Sequence, residues 1–471
     1  MSATAGPAIS SAPTAARRPR RWTELGLLAV AVGVGAFAYA QVDLVLLDAL
    51  GPGFRWTVAG LAAAALIGHV SLRVLAPHAD EVILPAVITL NGLGLAMIHR
   101  LDLADIADAA ARGRPYPNTD APDQLLMTLA GAVLFALVLF LVRDHRGLQR
   151  FTYTAMLVGL VLLVLPLVPG LGATINGARI WIRLGGVSFQ PAELAKIALI
   201  IFFAGYLVVK REGLALVRTR VLGIGLPRPR DLGPILVAWA ASLAVLVFER
   251  DLGTSLLFFG LFVAMLYIAT ERRSWVVIGA GLFLLGSAAA YLAFGHVQRR
   301  VDIWLDPFID PSDASFQIAQ SLYGFANGGL LGTGLGQGYP QLVPYSESDF
   351  IVSAFGEELG LTGLMAIITL YGVIVGRGMI AAVRTPDLFG RLLASGLAFV
   401  LGLQVFVIVG GVTGLIPLTG LTTPFLSAGG SSLVANWILV ALLLRVSDAA
   451  RRPAPPAPPP ADALLTEVVA R

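Results

Sequence analysis

Cysteine is missing from this 471-residue chain, so disulfides and thiolate metal sites are excluded outright. Histidine is scarce, with five residues, and a metal site of the His/Cys type is not expected. Charge is short as well. Only 13% of residues are charged, where a soluble domain has about 25%. That shortage excludes an ordinary soluble globule. The net charge of +4 is too small to point to a nucleic-acid partner, and none is expected. What the chain does have is apolar length. Hydrophobic residues make up 57%, in recurring runs of the roughly 20 residues that cross a bilayer as a helix. The runs are continuous rather than alternating, which argues against a membrane β-barrel. The predicted fold class is therefore an all-α polytopic membrane protein.

Twelve apolar spans are expected, starting near Trp22, Trp56, Val82, Leu125, Phe151, Pro191, Leu232, Leu252, Trp275, Phe350, Phe389 and Gly429. Basic loops mark the cytoplasmic side. "RDHRGLQR" has three Arg and one Asp, and the stretch from Lys210 to Asp231 has six basic residues and two acids. "ERR" at 271–273, Arg377, Arg384 and Arg391 fall on the same side, together with both termini. The opposite loops are acidic: residues 100–124 have three Arg and five Asp, and residues 295–350 have two Arg, five Asp and one Glu. Both termini are thus expected in the cytoplasm, with a large extracytoplasmic loop over 295–350. Residues 1–21 and 448–471 are Pro/Ala-rich and read as disordered cytoplasmic ends. The first run closes on "AYA", which resembles a signal-peptidase box, but it reads as an uncleaved anchor.

Polar residues inside such spans are informative, because an Asp at the bilayer centre costs about 2.5–3.5 kcal/mol on insertion scales. In "FQPAELAKIALI", Pro191 suits a first helical turn, and Glu193 and Lys196 are i,i+3 neighbours able to pair. That pairing alone is structural; a lysine within a span also lines polar cavities. Gln190 precedes the pair, and Arg179 lies upstream on the outer side. In "ERDLGTS", Asp251 either caps the following helix or serves a site. "GLLGTGLGQG" has no following Lys-Ser/Thr and is no phosphate-binding loop of the nucleotide type; it reads as a flexible loop whose backbone approaches a polar headgroup. In "PYSESDFIVSAFGEELG", a helix from Phe350 puts Asp349 at the outer rim and Glu357 about 12 Å deeper and roughly 80° around. Glu358 then points nearly opposite Asp349, so Glu357 and Glu358 cannot both line one groove, and one is expected to pair with a basic residue of a neighbouring span. The Pro/Gly/Ser/Thr-rich stretch 414–437 is backbone of a kind tolerated at membrane depth where it lines a cavity or packs inside protein.

A site outside the membrane has no ATP, so its substrate must arrive activated. A lipid diphosphate sugar fits. Its leaving group needs cations, a role open to Arg179 and Lys196. Its attacker needs a general base, a role open to Asp349. A proton-coupled transporter would also want these residue types.

The motifs "GARIWIRLGGVSFQPAELAKIA", "ERDLGTS", "GLLGTGLGQG", "SDFIVSAFGEELGLTG" and "GLIPLTGLTTPFLSAGGSSL" stand in the order found in the SEDS family (shape, elongation, division and sporulation), whose members include RodA and FtsW. The chain resembles that family over roughly 150–447. The resemblance implies a peptidoglycan glycosyltransferase of the bacterial cytoplasmic membrane. Such an enzyme polymerises lipid II outside the cytoplasmic membrane, releases undecaprenyl diphosphate and works with a class B penicillin-binding protein. It further implies Asp349 as the catalytic base, with Arg179, Gln190, Glu193, Lys196 and Asp251 at the substrate and Glu357 and Glu358 in a structural or substrate-binding role. No caged metal site is implied, and a divalent cation (Mg or Mn) assisting the diphosphate stays open. Two departures stand out. Glu347-Ser348 replaces His-Thr before the Asp, and Gln341 replaces a Glu eight positions upstream. Two spans are surplus before Phe151, similar to RodA-type members of high-GC Gram-positive bacteria, which points to elongation. The implied organisation is an N-terminal transmembrane extension over 22–150 and a glycosyltransferase core over 151–447. A lipid II flippase and a non-catalytic scaffold for the transpeptidase are the alternatives.

Overall fold

The computed structural model describes residues 21–175, 178–184, 187–215, 219–221, 224–226, 240, 244, 248–249 and 251–453. The expected span starting near Leu232 and the two terminal tails up to 20 and from 454 lie outside the described residues. Among the described residues, 11 helices are long and apolar enough to cross a membrane, and they match the remaining expected spans except that the one expected from near Phe350 runs over Gly360–Arg384. In chain order they are α1 (Arg21–Leu46), α2 (Gly53–Leu75), α3 (Ile83–Ala111), α4 (Asp120–Leu141), α5 (Thr152–Val164, extended by 3₁₀ turns at both ends), α6 (Ala192–Ala215), α7 (Leu252–Thr270) and α8 (Arg273–Ala293). After them, α9 (Gly295–Leu305), α10 (Phe316–Gly328) and α11 (Ile351–Glu358) are short, and α12 (Gly360–Arg384), α13 (Leu388–Val412) and α14 (Gly430–Arg451) again span.

The most enclosed spans are α3, α6, α13 and α14, which form the core of the bundle. Leu and Ile side chains fill it, with Trp437 set edge-on against Phe135 and Phe425. The outward faces of α5 and α8 stay apolar and unburied, as lipid-facing surfaces do. The final helix runs to Arg451, so the first residues of the expected tail are helical, and Asp448 is fully buried.

The charged loops sort to two ends. At one end Asp387 accepts from His145 Nε2 at 3.0 Å and Arg146 Nε at 3.0 Å. There Asp80 pairs with Arg377 at 2.8 Å and with Arg451, while Asp448 pairs with Arg452 at 2.6 Å. The loops expected to face the cytoplasm are thereby pinned to one another. The other end is built from structured loops. Residues 172–189 form a three-stranded antiparallel sheet, β1 (Gly172–Ile175), β2 (Ala178–Leu184) and β3 (Val187–Phe189), where only a loop was expected. The alternation in "ARIWIRL" is its strand signature. β4 (Thr219–Val221) and β5 (Ile224–Leu226) pair as a second hairpin. Helix α3 has 29 residues, about 43 Å at 1.5 Å per residue, against a hydrocarbon core of about 30 Å. Its last turns therefore project beyond the bilayer. There Asp102 accepts from the backbone N–H groups of Asp120 (2.9 Å) and Ala121 (2.8 Å) and caps α4.

Candidate active site

Asp349 stands in a run of turns just before α11, which begins at Ile351 rather than Phe350. The turn is held against the loop between α13 and α14: Ser427 Oγ donates to the Ser348 carbonyl at 2.6 Å, and Ala428 N donates to the Glu347 carbonyl at 2.8 Å. Gly420 in that loop has φ +75°, and a Cβ there would sit 3.6 Å from Asp349 Oδ2. The backbone thus comes close to the carboxylate without covering it, and Asp349 keeps part of its side chain open.

Asp251 caps α7. Its Oδ1 accepts from Thr254 N at 2.9 Å and its Oδ2 from Thr254 Oγ1 at 2.6 Å. Both oxygens are engaged in its own helical turn. Gly253 lets the loop approach, because a Cβ there would meet Leu421 and Thr419 within 2.9 Å. The third member is Arg300 on α9, which the sequence reading counted only as loop charge. Its Nη1 donates to the carbonyls of Leu418 (3.0 Å) and Thr419 (3.4 Å), and its charge acts on both Asp251 and Asp349.

The electrostatics follow from this placement. Burial raises the pKa of Asp349 to about 6, with the charge of Asp251 raising it further and that of Arg300 lowering it. Asp251 is also raised, mainly by burial. A carboxyl near 6 is largely ionised at neutral pH and still basic enough to take a proton in a reaction.

Glu193 and Lys196 sit deeper, on α6, and Glu193 is close enough to act on Asp251. Lys196 is 2% exposed. Its ammonium donates to Glu193 Oε2 (2.6 Å), Gln404 Oε1 (3.0 Å) and Asn436 Oδ1 (3.3 Å). All three of its donors are spent on protein, and Gln404 Nε2 passes the linkage on to the Thr422 carbonyl at 3.0 Å. Lys196 therefore braces the loop beside Asp349 and has no donor left for a diphosphate. Gln190 is buried at the entry of α6, and its backbone carbonyl accepts from Glu193 N. Arg179 lies on β2 and donates to the Val168 carbonyl at 3.4 Å. Among the described residues, Arg300 is the cation whose charge acts on both acids.

Glu357 and Glu358 serve another purpose. Glu357 Oε1 accepts from Asn327 Nδ2 and Tyr339 N, each at 2.9 Å. Glu358 accepts from Arg100 Nε at 2.6 Å and from Gly336 N at 3.0 Å. The pairing expected with a basic residue of a neighbouring span is thus Glu358–Arg100, and both glutamates hold the Gly-rich loop 328–339. That loop is not the flexible element the sequence suggested. Between α11 and α12 the helix breaks at Leu359, with Gly360 at φ +66°. The loop splices the break: Thr333 N and Gly334 N donate to the carbonyls of Glu357 (3.0 Å) and Glu358 (2.9 Å), while Leu361 N and Thr362 N donate to those of Gly329 (3.0 Å) and Leu330 (3.1 Å).

With this geometry in place, the known proteins can be set beside it. A family model described as "Cell cycle protein", covering FtsW, RodA and SpoVE, matches residues 81–452. The chain belongs to the FtsW/RodA/SpoVE family. Helices α1 and α2 precede the matched stretch. The peptidoglycan glycosyltransferase RodA of Mycobacterium tuberculosis is 50% identical over 471 residues, spanning 98% of each chain. Among solved structures, one titled for coordination of polymerization and crosslinking by a peptidoglycan synthase complex is 28% identical, with a TM-score of 0.61 over 79% of this chain and 98% of that one. The rod shape determining protein RodA of Thermus thermophilus is 26% identical, with a TM-score of 0.53 over 78% and 96% of the two chains. As a member of this family, the chain is a multi-pass protein of the bacterial cytoplasmic membrane.

Proposed function

We propose that this chain is a peptidoglycan glycosyltransferase that polymerises lipid II into β-1,4 glycan strands at the outer face of the cytoplasmic membrane during cell elongation. The observation that carries the mechanism is the placement of Asp349: a partly open carboxyl set in a backbone cradle, on which the charge of Arg300 acts. In the reaction the 4-hydroxyl of the acceptor GlcNAc gives its proton to Asp349 as its oxygen bonds to C1 of the donor MurNAc. The bond from C1 to the diphosphate breaks, and undecaprenyl diphosphate leaves with the electron pair. One displacement turns an α-linked diphosphate into a β link, so no covalent enzyme intermediate is required.

Asp251 is read as a positioning residue, since its oxygens are occupied by Thr254. The elongation role draws on the full-length likeness to relatives named RodA. A class B penicillin-binding protein is proposed as partner, and the likeness to a synthase complex supports it.

The test is polymerisation of fluorescent lipid II by the purified protein with its transpeptidase, comparing wild type with Asp349→Asn. General-base catalysis is typically worth about 10²–10⁴-fold, so the variant is expected to lose at least about 100-fold in rate while staying folded. Equal glycan ladders from both proteins would remove Asp349 as the base. Ladders from neither, with the complex intact, would shift weight to lipid transport or scaffolding.

A further inference from the structure

Arg300 also lines a cavity of about 170 Å³ between α9, α10 and the loop after α13. The other walls are chiefly apolar, contributed by Ile303, Trp304, Ile318, Ile416 and Leu418. The indole N–H of Trp304 already donates to the Gly414 carbonyl at 2.9 Å, so it offers the cavity a ring face and no donor. Beyond Trp304 the chain exposes Leu305, Phe308 and Ile309. An apolar chamber thus runs from a cation beside Asp349 toward an apolar outer rim.

We propose that Arg300 and this cavity bind the departing half of the donor, a polyprenyl diphosphate, with the diphosphate on Arg300 and the first isoprene unit in the cavity. Three observations lead there. Among the described residues, Arg300 is the cation that acts on both acids, and Nη1 alone of its nitrogens donates to protein. Lys196 has spent its donors, and Arg179 is turned to the Val168 carbonyl. The cavity volume also sets the size of the occupant. An apolar cavity of about 150 Å³ holds one benzene, so about 170 Å³ holds one five-carbon isoprene and not a whole lipid tail. The rest of the tail leaves past the exposed Phe308 and Ile309. A sugar is a poorer fit, because Gln317 is the only neutral polar side chain with free amide chemistry on these walls.

This assignment rests on the glycosyltransferase reading for its substrate but is tested by binding rather than turnover. Farnesyl diphosphate and inorganic diphosphate are titrated against the purified full-length protein, with Arg300→Gln, Arg300→Lys and Ala314→Phe as variants. Ala314 lines the cavity from a solvent-exposed position, so the larger side chain fills space without disturbing a core. Wild type should bind farnesyl diphosphate more tightly than inorganic diphosphate. Arg300→Gln should weaken both about tenfold or more, and Arg300→Lys should recover part of that. Ala314→Phe should weaken farnesyl diphosphate about tenfold and leave inorganic diphosphate unchanged. Unchanged binding in Arg300→Gln overturns the cation's role. An Ala314→Phe effect that is absent, or equal for both ligands, overturns the cavity's. A wild type that shows the pattern yet forms no glycan faults the glycosyltransferase reading alone.

Discussion

With Asp349 near a pKa of about 6, activity should climb as pH rises through 6, because the ionised carboxylate is the working form. Below that point the rate should fall about tenfold per pH unit, as the base fraction does. The neighbours set where this limb lies. Asp251 raises the pKa of Asp349, so Asp251→Asn, which keeps a capping oxygen for α7, should move the limb to lower pH. Arg300 lowers it, so Arg300→Gln should move the limb to higher pH. Rate–pH profiles of the three proteins check both signs, and a limb that stays fixed in both variants removes the coupling. At this scale the sequence was only partly legible. Asp349 and Asp251 carry motif context that marks them. Arg300 sits in "QRR" within a long outer loop, and nothing in one sequence separates it from Arg299 beside it. What singles it out is the approach of α9 to the loop at 418–419, a tertiary fact.

Among elements, α6 is tied to α13 and α14 through one buried ammonium. Lys196→Met leaves Glu193 buried without its partner, and breaking a buried pair from one side costs about 3–5 kcal/mol. Adding Glu193→Gln should return most of that. Thermal unfolding in detergent measures it. A Lys196→Met protein of normal stability but weakened substrate binding would restore Lys196 to the substrate. The Gly-rich loop makes a second element-scale prediction. Gly332 has φ +83°, and a Cβ there would lie 2.3 Å from the Glu358 carbonyl oxygen. Left-handed backbone alone costs a residue with a Cβ about 1–2 kcal/mol, so Gly332→Ala should destabilise by more than that, whereas Gly329→Ala, strained at φ +53° but with open space around it, should cost less than Gly332→Ala. Hydropathy could place the spans, since length and apolar content decide them. It did not place the break at Leu359, because a single helix from Phe350 also accommodates Glu357, Glu358 and Gly360. Nor could it show that Arg100 belongs to a helix running on to Ala111 rather than to a loop.

For the whole molecule, the missing cysteines make sidedness directly measurable. Single cysteines at Ser312 and Arg384, both exposed and at opposite ends of the bundle, should react differently with a membrane-impermeant maleimide on intact cells: the first labelled, the second protected. The reverse pattern would invert the orientation and place Asp349 in the cytoplasm. Loop charge is the ground for this expected orientation, because insertion reads basic residues near span ends. It could not foretell that those same residues are then held by three acids, Asp80, Asp387 and Asp448, one of which falls in a stretch that reads as a tail.

The spliced helix break has a kinetic meaning. Each backbone bond across it contributes about 0.5–1.5 kcal/mol net, and the four share one loop, so the loop cannot lift away by releasing one of them at a time. In hydrogen exchange, the amides of Thr333, Gly334, Leu361 and Thr362 should therefore behave as a single opening unit with a common protection factor. Glu358→Gln, which weakens the anchor to Arg100, should speed all four together.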